Sequence, residues 1–196
     1  MKLNLPNILT ISRVFITVFF LFIIMMDFLP HKFLIACVVF ILGSITDALD
    51  GYLARKNNQI TNFGKFLDPV ADKILTTSAL LAFLSMELCN VWIIMIILIR
   101  EFAISSVRMV AATNGVVIPA NIWGKIKTAT QMVFTILIMI LGEFYYILEQ
   151  TGNNLLTKLP DLALISNILL WITTFFTVVS GIVYLQDSKK IIDFTK

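Results

Sequence analysis

The chain has 196 residues, of which 59% are apolar, and its mean hydropathy is +0.93; soluble domains carry about 45–50% apolar residues. That excess excludes an ordinary soluble domain and predicts an all-α integral membrane protein. Fifteen Lys and Arg against twelve Asp and Glu leave a net charge of +3, too mild a balance to argue for nucleic acid.

In chain order, residues 1–12 are mixed and contain Pro6, which predicts a short interfacial segment before a first span at about 13–28, closed by Asp27 and Pro30. No small-residue cleavage site follows, so a removed signal peptide is not expected. A second span is predicted over about 32–55, with Asp47, Asp50 and Arg55 in its last turns. Its apolar part is short, so its polar end must line water or protein. A polar connection from Lys56 to Phe63 leads to a third span at about 64–86. Within it, Asp68-Pro69 would suit a helix start, with Asp68 as the cap.

The fourth span, about 91–112, carries Arg100, Glu101 and Arg108, and Asn114-Gly115 with Pro119 mark the loop after it. A fifth span at about 121–148 opens with Lys125 and Lys127, and a sixth runs over about 160–187. No internal repeat is evident, so the expectation is one domain, 1–196, of six transmembrane helices. Lys2, Arg13, Arg55, Lys56, Lys65, Arg108, Lys125, Lys127 and the C-terminal lysines all fall on one side of six alternating spans. The positive-inside rule makes that side cytoplasmic, with both termini and a polar cavity facing the cytosol of a multi-pass cell-membrane protein.

Cys37 and Cys89 have no metal-type spacing and read as inert packing residues. His31, remote from the acids, reads as a loop residue. The Met and Phe residues spread through the spans read as lipid-facing or packing side chains.

The stretch from Asp47 to Asp72 concentrates the chemistry. Four carboxylates, Asp47, Asp50, Asp68 and Asp72, stand against apolar flanks, and each acid at bilayer depth costs about 2.5–3.5 kcal/mol on insertion scales. A compensating cation is therefore expected. On a helix, positions 47, 50, 51 and 54 fall within an arc of about 100°, and Gly43 joins them one turn earlier. The small residues on this stripe either leave room for a ligand against the backbone or allow close helix packing. Gly64, Asp68 and Asp72 follow i, i+4, i+8 spacing and form a second stripe. All-oxygen donors without His or Cys favour a hard divalent ion, Mg²⁺ first and Mn²⁺ second. Shared acids could bridge two such ions, the arrangement that clamps attacking and leaving oxygens in phosphoryl displacement. Singly the acids are ambiguous, since Asp50 could pair with Arg55.

Together, the spacing D-x-x-D-G-x-x-A-R, eight residues, then G-x-x-x-D-x-x-x-D resembles the signature of the CDP-alcohol phosphotransferase family. Asp47, Asp50, Gly51, Ala54, Arg55, Gly64, Asp68 and Asp72 occupy every fixed position. The resemblance implies six transmembrane helices, usually a homodimer, and a cytosol-facing cavity with two metal ions. It implies a helix continuing through Gly64 to Asp72, against the cap reading of Asp68. By the same resemblance Asp47, Asp50, Asp68 and Asp72 are the metal ligands and Asp72 the general base. Gly51, Ala54, Arg55 and Gly64, with Asp47 and Asp50, then belong to the CDP pocket.

Outside the signature, NLPNILTISR, IREFAISSVRMVAATNG and GKIKTATQM resemble the bacterial phosphatidylglycerophosphate synthases. That branch implies CDP-diacylglycerol as donor and glycerol 3-phosphate as acceptor, with membrane lipids around it. A phosphate dianion needs cationic donors, for which Arg100, Arg108, Lys125, Lys127 and Arg13 are the candidates; Glu101 can pair with one of the arginines. Anchoring to lipid phosphate is the competing role, for Lys127 and Arg13 above all. Serine, inositol, inositol phosphate or phosphatidylglycerol as acceptor is the alternative within the class. Outside it stand a divalent-cation transporter, disfavoured because all four acids lie in one half of the chain, and a non-catalytic scaffold.

Overall fold

The computed structural model describes the backbone of residues 5–56, 62–113, 121–153 and 155–189, and the side-chain surroundings of 11–46, 73–112, 121–153 and 155–188. Among the described residues there are six α-helices and no strand: α1 Leu5–Met25, α2 Lys32–Lys56, α3 Asn62–Ser85, α4 Val91–Thr113, α5 Ile122–Gln150 and α6 Leu162–Lys189. A single 3-10 turn, Leu156–Lys158, precedes α6. Each predicted span corresponds to one helix. The first differs most, because α1 runs unbroken from Leu5 to Met25: Pro6 sits in its first turn, where a missing N–H costs nothing.

α3 also continues through Pro69, so Asp68 lies inside the helix and is not its cap. The Asn114-Gly115 and Pro119 loop, Lys2 and the C-terminal Lys190 and Lys196 lie outside the described residues.

α1 packs on α2 and α3, α5 on α6 and α2, and α4 on α6. Their shared core holds Phe20, Ile24, Phe40, Leu80, Phe83, Ile93, Ile97, Ile138, Met139 and Leu170, all nearly inaccessible. The outer surface is just as apolar: Phe15, Phe22, Trp92, Phe102, Met109 and Phe175 are more than half exposed. A monomer in water does not display so much apolar area, and lipid removes the penalty. α5 and α6 are each long and apolar enough to cross a bilayer, and the protein is a membrane protein.

α6 shows how helices approach without a hydrophobic drive. Thr173, Thr177, Ser180 and Ser188 lie buried on one stripe and each donates its hydroxyl to a carbonyl three or four residues back. Small satisfied side chains let backbones come close in lipid. Glycine serves the same end. A Cβ at Gly43 would lie 2.9 Å from Leu75 Cδ2 and 3.2 Å from Ile16 Cγ2, so close packing, rather than room for a ligand, explains this residue.

At Gly142 the added Cβ would sit 2.8 Å from two carbons of the Phe33 ring, which has no soft end to yield. Overpacking of this kind costs about 1–3 kcal/mol, against a gain of about 1 kcal/mol in helix propensity. Gly142→Ala is therefore expected to lower the melting temperature in detergent by a few degrees; an unchanged or raised value would show that Phe33 moves freely.

The end of the bundle away from the acids is fastened by polar contacts. His31, with a φ of +57° in the turn before α2, bonds through Nδ1 to Glu143 of α5, and Leu34 N donates to the same carboxylate at 3.2 Å. His31 is a loop residue, as expected, and it also supplies a partner to the buried Glu143. Lys32 and Asp27 pair at 2.8 Å in the same turn, and Lys32 holds the exposed Asp27 carboxyl below its usual range. Both cysteines are free and buried, and burial pushes the Cys89 thiol up to about 12, which makes it unreactive at neutral pH.

Candidate active site

The four acids fall on two described helices, Asp47 and Asp50 in α2, Asp68 and Asp72 in α3. In continuous helix, positions 47 and 50 are about 60° apart around the axis and positions 68 and 72 about 40°. The first pair lies in the last turns of α2 and the second in the first turns of α3, separated in sequence by residues 57–61. The side chains of Asp47, Asp50, Gly51, Ala54, Arg55, Gly64, Asp68 and Asp72 lie outside the described residues. Among the described residues no group of three or more His, Cys, Asp or Glu gathers in a way that could hold a metal ion.

Lys73 follows the last of these acids, and its side chain enters a cavity of about 650 Å³ between α3, α4, α5 and α6. Four of the five cations expected to meet a phosphate line this space: Arg100, Arg108, Lys125 and Lys127. Lys73 is a fifth, and Glu101 is the single carboxylate among the described lining residues. Arg13 is not among them; it is buried at 2% exposure in α1, the helix packed on α2 and α3. Lys127 is only 3% exposed, so it lies inside the protein and does not reach the lipid surface as an anchor would.

Four of these cations, Lys73, Arg100, Arg108 and Lys127, are held by definite contacts. Glu101 accepts from Arg100 Nη1 at 3.2 Å and from Lys127 Nζ, and its second oxygen lies 3.7 Å from Lys73 Nζ. Lys73 also donates to Glu101 O at 3.1 Å and to Ser105 Oγ. Arg100 passes beside two glycines: a Cβ at Gly124 would lie 3.5 Å from its Nη2, and one at Gly181 3.3 Å from its Cγ. Arg108 donates through Nε to Tyr184 Oη at 3.3 Å, with its guanidinium 5.4 Å from the ring centroid. Tyr184 is itself buried, at 3% exposure.

Asn121 caps α5, accepting from Trp123 N at 2.6 Å and Gly124 N at 3.3 Å, and the first turn of the helix forms part of the wall. The positive end of the helix dipole adds to the cations there. Two buried donors of the lining residues, Arg100 Nε and Asn121 Nδ2, have no partner among the described residues. Five cations, a helix N-terminus and two donors without a partner among the described residues belong to the lining of one space, a composition that suits a small anion with several oxygens.

The sequence pattern missed Lys73, Ser180 and Tyr184. Lys73 was visible as the neighbour of Asp72, and about 100° of helical rotation carries it off the acidic stripe toward α4. Nothing local marks Tyr184, which meets Arg108 across 76 residues of chain.

The family described as CDP-alcohol phosphatidyltransferase matches residues 3–179 of the chain. A relative from Bacillus subtilis (strain 168), named CDP-diacylglycerol--glycerol-3-phosphate 3-phosphatidyltransferase, is 37% identical over 196 residues, covering 94% of this chain and 95% of its own. Relatives with the same name from Haemophilus influenzae, 38% identical, and Rickettsia bellii, 36% identical, also align over 95% or more of both chains. A match of this extent, joined to an intact acidic signature, makes the chain a member of the CDP-alcohol phosphatidyltransferase family.

Proposed function

We propose that this enzyme transfers the phosphatidyl group of CDP-diacylglycerol to glycerol 3-phosphate, giving phosphatidylglycerophosphate and CMP. The observation that carries the acceptor assignment is the cationic cavity whose wall begins at Lys73, one residue past Asp72. An acceptor bearing a phosphate dianion suits it; serine and inositol carry no phosphate to engage its cations. The names of the aligned relatives support the same donor and acceptor.

Asp72 takes the proton of the acceptor hydroxyl, whose oxygen attacks the lipid-bearing phosphorus; the bond from that phosphorus to the bridging oxygen breaks and CMP leaves. Arg100, Arg108, Lys125 and Lys127 hold the acceptor phosphate, with Arg13 a further donor from α1. Gly51, Ala54, Arg55 and Gly64, together with Asp47 and Asp50, form the CDP pocket. The family is generally dependent on divalent metal, and the donor set fits one: four carboxylates on two helices, with oxygen ligands only. Asp47, Asp50, Asp68 and Asp72 would hold two Mg²⁺ or Mn²⁺ ions, which would supply charge stabilisation at the phosphoryl oxygens.

The chain forms a single domain of six membrane spans, with residues 1–12 interfacial, both termini and the cavity cytoplasmic, in the cell membrane as a homodimer. The basic residues clustered at the cavity end support this orientation.

Release of CMP from CDP-diacylglycerol, measured with a panel of acceptors with and without chelator, tests the reading. Glycerol 3-phosphate is expected to support release, and serine and inositol are not. Chelator is expected to stop it and Mg²⁺ to restore it. Release with serine alone, or metal flux into proteoliposomes without CMP, would overturn the assignment.

A further inference from the structure

The acceptor cavity contains a negative charge that an anion-binding site does not need. Glu101 stands among five cations and reaches three of them on three helices: Lys73 of α3, Arg100 of its own α4 and Lys127 of α5. It is 20% exposed, so water and ligand reach it, while Lys127 is shut in at 3%. An ammonium that buried needs a counter-charge when the cavity holds no substrate. Lys127 rests its Nζ on Glu101.

We propose that Glu101 is a resident stand-in for the acceptor phosphate. It keeps the cradle assembled when the site is empty and shares the cations when a phosphate dianion arrives, which limits how tightly the phosphate is held. This inference rests on the proposed acceptor. Glu101 is a positioning residue here, since it acts through Lys127, Arg100 and Lys73.

The electrostatic sign is definite. A carboxylate lowers the energy of the empty cradle and repels an incoming dianion, so its removal destabilises the empty state and favours the filled one. In Glu101→Gln, inorganic phosphate replaces the missing charge. The bound product, held by the same cations through its phosphate, then leaves more slowly.

The test uses the full chain in detergent. In anion-poor buffer Glu101→Gln is expected to melt several degrees below the wild type, and millimolar inorganic phosphate is expected to raise its melting temperature more than that of the wild type. The KM for glycerol 3-phosphate is expected to fall about tenfold, the scale of removing one charge near a dianion in a wet cavity. Turnover falls with it, and the KM for CDP-diacylglycerol stays unchanged. Glu101→Asp, which keeps the charge but retracts it by one methylene, shows the same direction at smaller amplitude and serves alone if the glutamine variant does not fold. A purely structural role would lower stability without changing the phosphate response or the KM. Equal phosphate responses in wild type and variants, or a raised KM, would overturn the proposal. If the wild type releases no CMP with glycerol 3-phosphate, the acceptor assignment fails instead, and the phosphate-dependent melting still reports on Glu101.

Discussion

Asp72→Asn is expected to abolish phosphatidyl transfer and leave the bundle folded. The substitution is isosteric and lies inside α3, where Asp and Asn have similar helix propensities. It removes the only feature that lets the side chain accept a proton near neutral pH. Loss of a general base alone lowers turnover by about 10²- to 10⁴-fold. The lost negative charge also weakens the oxygen donor set for a divalent ion, so the combined loss lies at or beyond the upper end of that range. Turnover by CMP release, beside a melting curve of the purified variant, measures both parts. A variant with normal turnover would remove Asp72 from the mechanism.

Lys127→Met is expected to raise the KM for glycerol 3-phosphate about 10- to 100-fold, the equivalent of one charge-assisted hydrogen bond of about 1.5–3 kcal/mol. Methionine fills most of the volume of the buried lysine stem, and Glu101 keeps Arg100 at 3.2 Å and Lys73 at 3.7 Å. The fold is therefore spared an uncompensated carboxylate. Lys125 lines the same cavity but is exposed, so Lys125→Met is expected to have a smaller effect. The KM for CDP-diacylglycerol stays unchanged in both. Equal effects of the two substitutions would show that only net charge counts, and that burial of Lys127 adds nothing.

The six helices were legible because each is a long apolar run bounded by turn residues, and the signature because its spacing repeats within single helices. Asp68-Pro69 shows the limit of local chemistry. As a dipeptide it favours a helix start, yet in the fold it lies well inside α3. Glu101 could be paired with an arginine from sequence, and the Arg100 contact bears this out. Its bonds to Lys127 and Lys73 could not be foreseen, because they depend on how α4 meets α5 and α3. The His31 contact to Glu143 spans 112 residues and leaves no periodic trace. Arg13, expected at the cytoplasmic start of the first span, is buried instead, since α1 begins at Leu5, earlier than its hydropathy suggests.

Lys73 and Asp72 are neighbours in one helix, their Cα atoms about 3.8 Å apart and their side chains about 100° apart around the axis. With the roles proposed, one peptide bond separates the group that receives the hydroxyl proton from a cation of the phosphate cavity. The helix is then a ruler. It fixes the backbone spacing between the proposed base and the nearest lining cation, while the cations of α4 and α5 complete the other end. With those roles, a molecule of the wrong reach would engage one end only, and acceptor choice is expected to depend on length as well as charge.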